Sequence, residues 1–218
     1  RPMAEPALIT PDHWLHGTGE MAERIRSLNW DLTALRDDAH WNPGFKSVVN
    51  ALVLCPFPMA ILWGPEAILI YNDGYRELAG NKHPDALGRS SREIWPEVWH
   101  INQPILDKVL KNGKQVYLKE QAFPIRRQMG PLETAWFTLS YSPIIIEGTI
   151  QATLVVLLET TAQVLEREKL KNALADSQSY KDTLDRIPSY IYIKDKNSKY
   201  KYANRVTLDL FRCTAEEL

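Results

Sequence analysis

Apolar residues change their spacing along the chain, and each change marks an element. Between residues 20 and 35, Met21, Ile25, Leu28 and Leu32 recur at intervals of four, three and four, which predicts a short helix with one buried stripe. A second helix is predicted from about residue 45 to 54, where Phe45, Val48, Val49 and Leu52 share a face after the turn signal Trp41-Asn42-Pro43-Gly44. The period then drops. Residues 59–63 (MAILW) and 68–71 (ILIY) are short β-prone runs separated by Gly64-Pro65-Glu66-Ala67, the composition of a hairpin. After Asn72-Asp73-Gly74 the pattern turns helical through residue 79. Gly80, Pro84, Gly88 and Pro96 then interrupt it too often for anything but short helices.

Residues 102–111 (NQPILDKVLK) are the clearest helix, with Asn102 as its cap, Pro104 in its first turn and Asn112-Gly113 as its stop. Three strands follow, at 115–126, 134–146 and 149–159, joined by the turns Met129-Gly130-Pro131 and Glu147-Gly148. A strand pair, a helical block and a three-stranded meander together predict an α+β fold with a five-stranded antiparallel sheet. Residues 1–19, with three prolines and little apolar periodicity, are expected to form an extended, mobile leader.

Beyond Thr161 the character changes. Leu170, Ala173, Ser177, Tyr180, Leu184 and Ile187 step by three and four through a charged segment without Gly or Pro. This predicts a connecting helix over residues 162–187 whose seam pairs with its copy in a second subunit, or else a monomeric amphipathic linker. From residue 188 the hairpin grammar returns: a run at 190–194, the turn Asp195-Lys196-Asn197-Ser198, a run at 200–203, Asn204, and a helix-like stretch at 206–212. Asn72 closes the first hairpin and Asn204 the second, and 204 − 72 gives an offset of 132 residues, about one domain. The second copy, residues 188–218, holds too few elements for a core of its own. With no Met at position 1, the chain is read as a piece of something longer.

Composition narrows the partners. Lys and Arg number 26 against 27 Asp and Glu, so no clustered positive field draws the chain to nucleic acid or an anionic membrane. The apolar run at 154–158 is far short of the ~20 residues that span a bilayer. Cys55 and Cys213 lie too far apart for a zinc knuckle or a disulfide framework, which points to a reducing, cytoplasmic compartment. No Gly-x-Ser-x-Gly turn, HExxH helix or phosphate loop occurs, and Asp37 and Asp38 before His40 read as an ordinary loop; no catalysis is expected.

The succession of elements closing on Glu159-Thr160-Thr161 resembles the PAS sensor domain. The strings Leu28-Asn29-Trp30, Trp41-Asn42-Pro43, Trp63-Gly64-Pro65, Tyr71-Asn72-Asp73, Lys82-His83-Pro84 and Ile94-Trp95-Pro96-Glu97 are similar to N-terminal PAS domains of bacterial sensor histidine kinases, over roughly residues 24 to 165. Residues 188–218 are similar to the opening of a second PAS domain. The resemblance implies a PAS sensor at 20–161 and a signalling helix at 162–187, with Glu159, Thr160 and Thr161 as the coupling junction; Glu159 stands where many PAS domains carry Asp. It implies a sensory module of a signal-transduction protein, most readily a histidine kinase, that forms a homodimer, detects a small molecule or a partner and signals to downstream domains of the same polypeptide. Two alternatives stay open: an interaction scaffold without ligand, and the sensor region of a diguanylate cyclase or phosphodiesterase. No phosphoacceptor helix, ATP lid or GGDEF-like stretch occurs in these residues.

Trp63, Tyr71, Asn72, Tyr75, His83, Trp95, Trp99, His100, Trp136 and Tyr141 are the candidate ligand residues. Strand alternation puts Trp136 and Phe137 on opposite faces, so only part of this set can line one cavity, and the aromatics serve equally as a filled core. His83 is read as a residue that caps a helix, bonds the hairpin or offers a proton-sensitive contact, with a structural role preferred. The cofactor is left unknown. Neither Cys55, before the first strand, nor Cys213 suits a flavin-reactive thiol, and His100 lacks the neighbours of a haem ligand, so it reads as a partly exposed residue at a helix start.

Overall fold

A computed structural model describes residues 13–36, 40–126 and 130–218. Asp37, Asp38, Met129 of the expected turn and residues 1–12 of the expected leader lie outside the described residues. The chain divides into two compact units, residues 1–161 and 162–218.

In the first unit, β1 (Met59–Trp63), β2 (Ile68–Tyr71), β3 (Val116–Arg126), β4 (Leu132–Ile146) and β5 (Thr149–Glu159) form one antiparallel sheet in the order β2-β1-β5-β4-β3. The sheet closes by pairing its first strand with its last, from Met59 opposite Val156 to Trp63 opposite Ala152. Between β2 and β3 run α3 (Asp73–Ala79), α4 (Ser91–Ile94) and α5 (Trp99–Asn112), with α1 (Glu20–Ser27) and α2 (Pro43–Leu54) ahead of β1. This is the α+β arrangement expected from the strand blocks, and both parts of the hairpin share a sheet with β4 and β5.

All four residues of β2 are buried, because helices cover both faces of the hairpin. Phe45, Val49 and Leu52 of α2 lie on one face, where the Phe45 and Trp63 rings stand 4.2 Å apart. Ala60 and Leu62 point the other way, toward α3 and α4. The first face continues through Trp41, whose ring stands 4.8 Å from that of Trp30 and 5.7 Å from that of Trp14.

Residues 13–19 are anchored, not free. Leu15 is in the core, Asn50 of α2 holds the backbone of Trp14 and His16 at 2.8 and 2.7 Å, and Arg26 donates to the carbonyls of Leu15 and Gly17. These bonds leave no trace in apolar periodicity.

Two helices depart from expectation. The first ends at Ser27 rather than near residue 35, and Leu32 is 85% exposed. Trp30 is the cause: its Nε1 donates to the Ile25 carbonyl at 2.8 Å, burying the indole, while Asn29 caps a 3₁₀ turn at Trp30–Leu32 by accepting from Asp31 N. The connector α5 starts at Trp99, because a 3₁₀ turn at Pro96–Val98 runs straight into it. Asn102 is therefore not the cap, and Pro104 sits inside the helix. The stop is as expected, with Gly113 in the left-handed region at φ 63°.

Asn72 holds the hairpin at its root. Its side chain is fully buried, donates to the carbonyls of Leu52, Cys55 and Phe57, and accepts from the N–H groups of Met59 and Tyr75 at 3.0 Å each. One amide thus joins the end of α2, the start of β1 and the first turn of α3.

In the second unit, α6 (Thr161–Asp185) precedes a hairpin of β6 (Tyr192–Lys194) and β7 (Tyr200–Ala203), then α7 (Arg205–Phe211). Asn204 repeats the pattern of Asn72. It donates to the carbonyls of Leu184, Ile187 and Ser189 and accepts from the N–H groups of Ile191 and Thr207, each partner lying 132 residues beyond its counterpart. The last turn of α6 therefore does for this hairpin what the last turn of α2 does for the other.

Candidate functional site

A cavity of about 80 Å³ lies between the inner face of the sheet and helices α3 to α5. Its wall is mostly apolar: Ala60 and Leu62 of β1, Phe123 and Ile125 of β3, Phe137 and Leu139 of β4, Val155 and Leu157 of β5. Period-two alternation on four strands produces this surface. Polar groups enter from the helices and one strand: Tyr75, Ser91, Trp95, Asn102 and Tyr141.

These groups form two sets. The Tyr141 hydroxyl donates to Asn102 Oδ1 at 2.9 Å, bracing α5 against β4. Trp95 Nε1 is buried and faces the Tyr75 hydroxyl. Burial raises the pKa of both Tyr75 and Tyr141, the nearby Trp95 N–H opposing it at Tyr75, so both phenols stay protonated at neutral pH. On its outer side Trp95 is covered by Lys82, whose Nζ is 3.6 Å from the ring centroid and 2.5 Å from Glu97 Oε1. Glu97 Oε1 also accepts from Arg126 N at 3.2 Å, which ties the end of β3 to the same corner.

Of the candidate ligand residues, the cavity gathers Tyr75, Trp95 and Tyr141. Asn72 is spent on the hairpin root. Trp63 and Trp99 line a separate groove beside α5, together with Gln103, Asp107 and Gln151. His100, second in α5, is exposed. Trp136 alternates with Phe137 and so lies on the opposite sheet face, half-buried. Asn102 and Ser91 also line the cavity, where sequence gives little sign of them: Asn102 reads as a helix cap, and no period marks a lone Ser in a broken helical stretch.

Tyr71 and His83 meet away from the cavity. The Tyr71 hydroxyl and His83 Nδ1 are 2.9 Å apart, and His83 Nε2 is 2.9 Å from Glu20 Oε1, so His83 bonds the hairpin to α1. Glu20 also accepts from Arg24 Nε at 2.6 Å and from Arg76. Arg24 first, then His83 and Arg76, hold its carboxyl down at about 2 against an ordinary 4.5. Burial pushes the Tyr71 hydroxyl up.

The junction residues bind β4. Thr160 N donates to the Trp136 carbonyl at 2.7 Å, Trp136 N donates to Thr161 Oγ1 at 3.0 Å, and Thr161 Oγ1 donates to Glu159 Oε1 at 2.8 Å. Leu170 and Tyr180 of the expected seam are 71% and 73% exposed. Among the described residues no helix is long and apolar enough to cross a membrane, and no cluster of three or more His, Cys, Asp or Glu could hold a metal ion.

No family model and no curated protein matches the chain. Solved structures to which it is similar include an RNA-binding light-oxygen-voltage receptor, at 19% identity over 68% of this chain and 42% of that one, with a TM-score of 0.44. The phage VqmA–DPO complex is 19% identical over 60% of this chain and 59% of that one, with a TM-score of 0.44. The PAS domain of Bordetella pertussis BvgS is 17% identical over 61% of this chain and 99% of that one, with a TM-score of 0.45. The chain spans about half the length of the first two of these structures.

Proposed function

We propose that residues 20–161 are a sensory PAS domain that takes a small molecule into the cavity and passes the event through Glu159, Thr160 and Thr161 into α6. One observation carries this reading. Phe137 lines the cavity, and the backbone of its neighbour Trp136 accepts from Thr160 N and donates to the Thr161 hydroxyl, so a displacement of β4 by a ligand is felt one residue away at the start of α6. Nothing in the site makes or breaks bonds; its output is a change in the populations of two helix arrangements, set by the ligand's differential affinity for them.

The parent is read as a bacterial sensor histidine kinase, supported by the sequence strings shared with that group. Residues 188–218 are read as the opening of a second PAS domain, supported by the 132-residue correspondence of Asn72 and Asn204. Pairing of α6 with its copy in a homodimer is supported by the exposure of Leu170 and Tyr180. The small volume of the cavity favours a second reading, a scaffold that sets dimer geometry without a ligand.

Filling the cavity separates the two. Leu157→Phe adds volume inside it, and hydrogen exchange of the Thr160 and Thr161 amides and of the first turns of α6 is then compared with the parent chain. Sensing expects altered protection at the junction. Unchanged protection there, with the cavity shown to be filled, overturns the coupling and leaves the scaffold.

A further inference from the structure

We infer that the cavity is coupled to α1 as well as to α6, through α3, whose Tyr75 lines the cavity and whose Asp73 and Arg76 hold the start of α1. This rests on the sensory reading and gives it a second output, at the N-terminal side of the domain. α1 has eight residues, fewer than the about 12–15 below which a helix is marginal alone. Its N-cap position is Gly19, which has no side chain to accept from the first turn. Asp73 supplies that acceptor from α3: its Oδ1 takes the N–H of Met21 at 3.3 Å.

That bond leaves α3 little room to move. Its length is already beyond the ~2.7–3.2 Å usual for N–H···O, so a shift of α3 away from α1 breaks it. A shift toward α1 is blocked, since Gly19 lies so close that a Cβ there would collide with Asp73 Oδ2. Less than a turn on, Arg76 donates to Glu20. His83 also holds Glu20, but from beyond the end of α3, so the bond to Met21 is the contact that belongs to α3 alone. Asp73, Tyr75 and Arg76 fall within four residues of a two-turn helix, and what displaces the buried Tyr75 ring displaces the other two. The effect continues outward, because Arg26 of α1 binds the carbonyls of Leu15 and Gly17. By linkage, whatever fixes residues 13–20 changes the affinity of the cavity in return.

The test is hydrogen exchange by NMR on the whole chain in four forms: parent, Leu157→Phe to fill the cavity, Asp73→Ala to cut the link, and the two together. The reporter is the Glu23 amide, which closes the first turn of α1 by donating to the Gly19 carbonyl at 3.3 Å. Its rate is taken relative to the Val49 amide inside α2, so that a general loss of stability cancels. Filling the cavity should change this ratio at least about fivefold in the parent and less than about twofold in Asp73→Ala. Val155→Ile, which adds one methylene to the same wall, replaces Leu157→Phe should that variant not fold. A steady ratio while Thr160 and Thr161 respond, or an equal change with and without Asp73, overturns the route to α1 and leaves the sensory reading in place. A response at Glu23 with none at Thr160 and Thr161 overturns the coupling to α6 and keeps this one. If neither end responds, both fall.

Discussion

Lys82 lies over the face of Trp95, its Nζ 3.6 Å from the ring centroid, and the same ammonium meets Glu97 Oε1 at 2.5 Å. The indole is thus held by charge on one side and lines a neutral cavity on the other. Burial lowers the Lys82 pKa against the pull of Glu97, which marks the pair as partly desolvated. Lys82→Met keeps the stem but removes the cation. It should cost about 1–2 kcal/mol in urea unfolding and broaden the Trp95 indole resonance, since both the stack and the tie to Glu97 are lost.

Asn72→Ala leaves three carbonyls and two N–H groups at the hairpin root without their shared partner. At about 1–3 kcal/mol for a buried group left unsatisfied, a loss of at least ~3 kcal/mol is expected in the unfolding of the first unit. Asn204→Ala should leave that transition where it is. Intrinsic tryptophan fluorescence follows the first unit alone, because every Trp of the chain lies before residue 162.

Glu20 gives the chain an acid sensitivity of known sign. Its carboxyl is held at about 2 in the folded chain, by Arg24 first and then His83 and Arg76, and is ordinary at 4.5 otherwise. Asp73 and Glu77 also face Arg76. A lowered folded pKa means that stability is fully present above about 4.5 and is lost as pH falls toward 2. Thermal unfolding of Glu20→Gln should therefore show a lower midpoint than the parent at neutral pH, with the gap closing across that interval.

Gly74 sits in the first turn of α3 where a Cβ would come within 2.9 Å of Pro58 N and 3.0 Å of the Pro56 carbonyl oxygen. Backbone on both sides cannot yield as a side chain would. Gly74→Ala, favourable by helix propensity alone, should instead destabilise by about 1–3 kcal/mol, read from urea unfolding.

Sedimentation at rising concentration tests the α6 seam. Leu170→Glu and Tyr180→Glu place charge at exposed positions, so they should leave the melting of the first unit unchanged while abolishing self-association. An unaltered dimer would remove α6 from the interface.

Period and turn chemistry made the sheet legible: β1, β2 and β5 begin and end where alternation and the Gly64-to-Ala67 and Glu147-Gly148 turns put them. Helix limits were less so. The three-four spacing runs on through Leu28 and Leu32, but α1 ends at Ser27, before both, where the bond from Trp30 to Ile25 turns the chain, and that bond depends on tertiary burial of one indole. The cavity was half legible. Tyr75, Trp95 and Tyr141 stand out as aromatics with polar tips, whereas Asn102 joins them only because α5 starts a turn earlier than its cap signal says. Trp136 fell on the far face by the alternation that brings Phe137 in. His83 belongs to a bonded chain with Glu20, 63 residues away, a distance no local pattern spans.

Because Asn204 grips the final turn of α6 as Asn72 grips that of α2, each hairpin is clasped to the helix just before it by a single amide. A residue inserted between either helix and its strand would pull the clasped carbonyls out of reach of that amide, so the length of each short connection is fixed by one side chain.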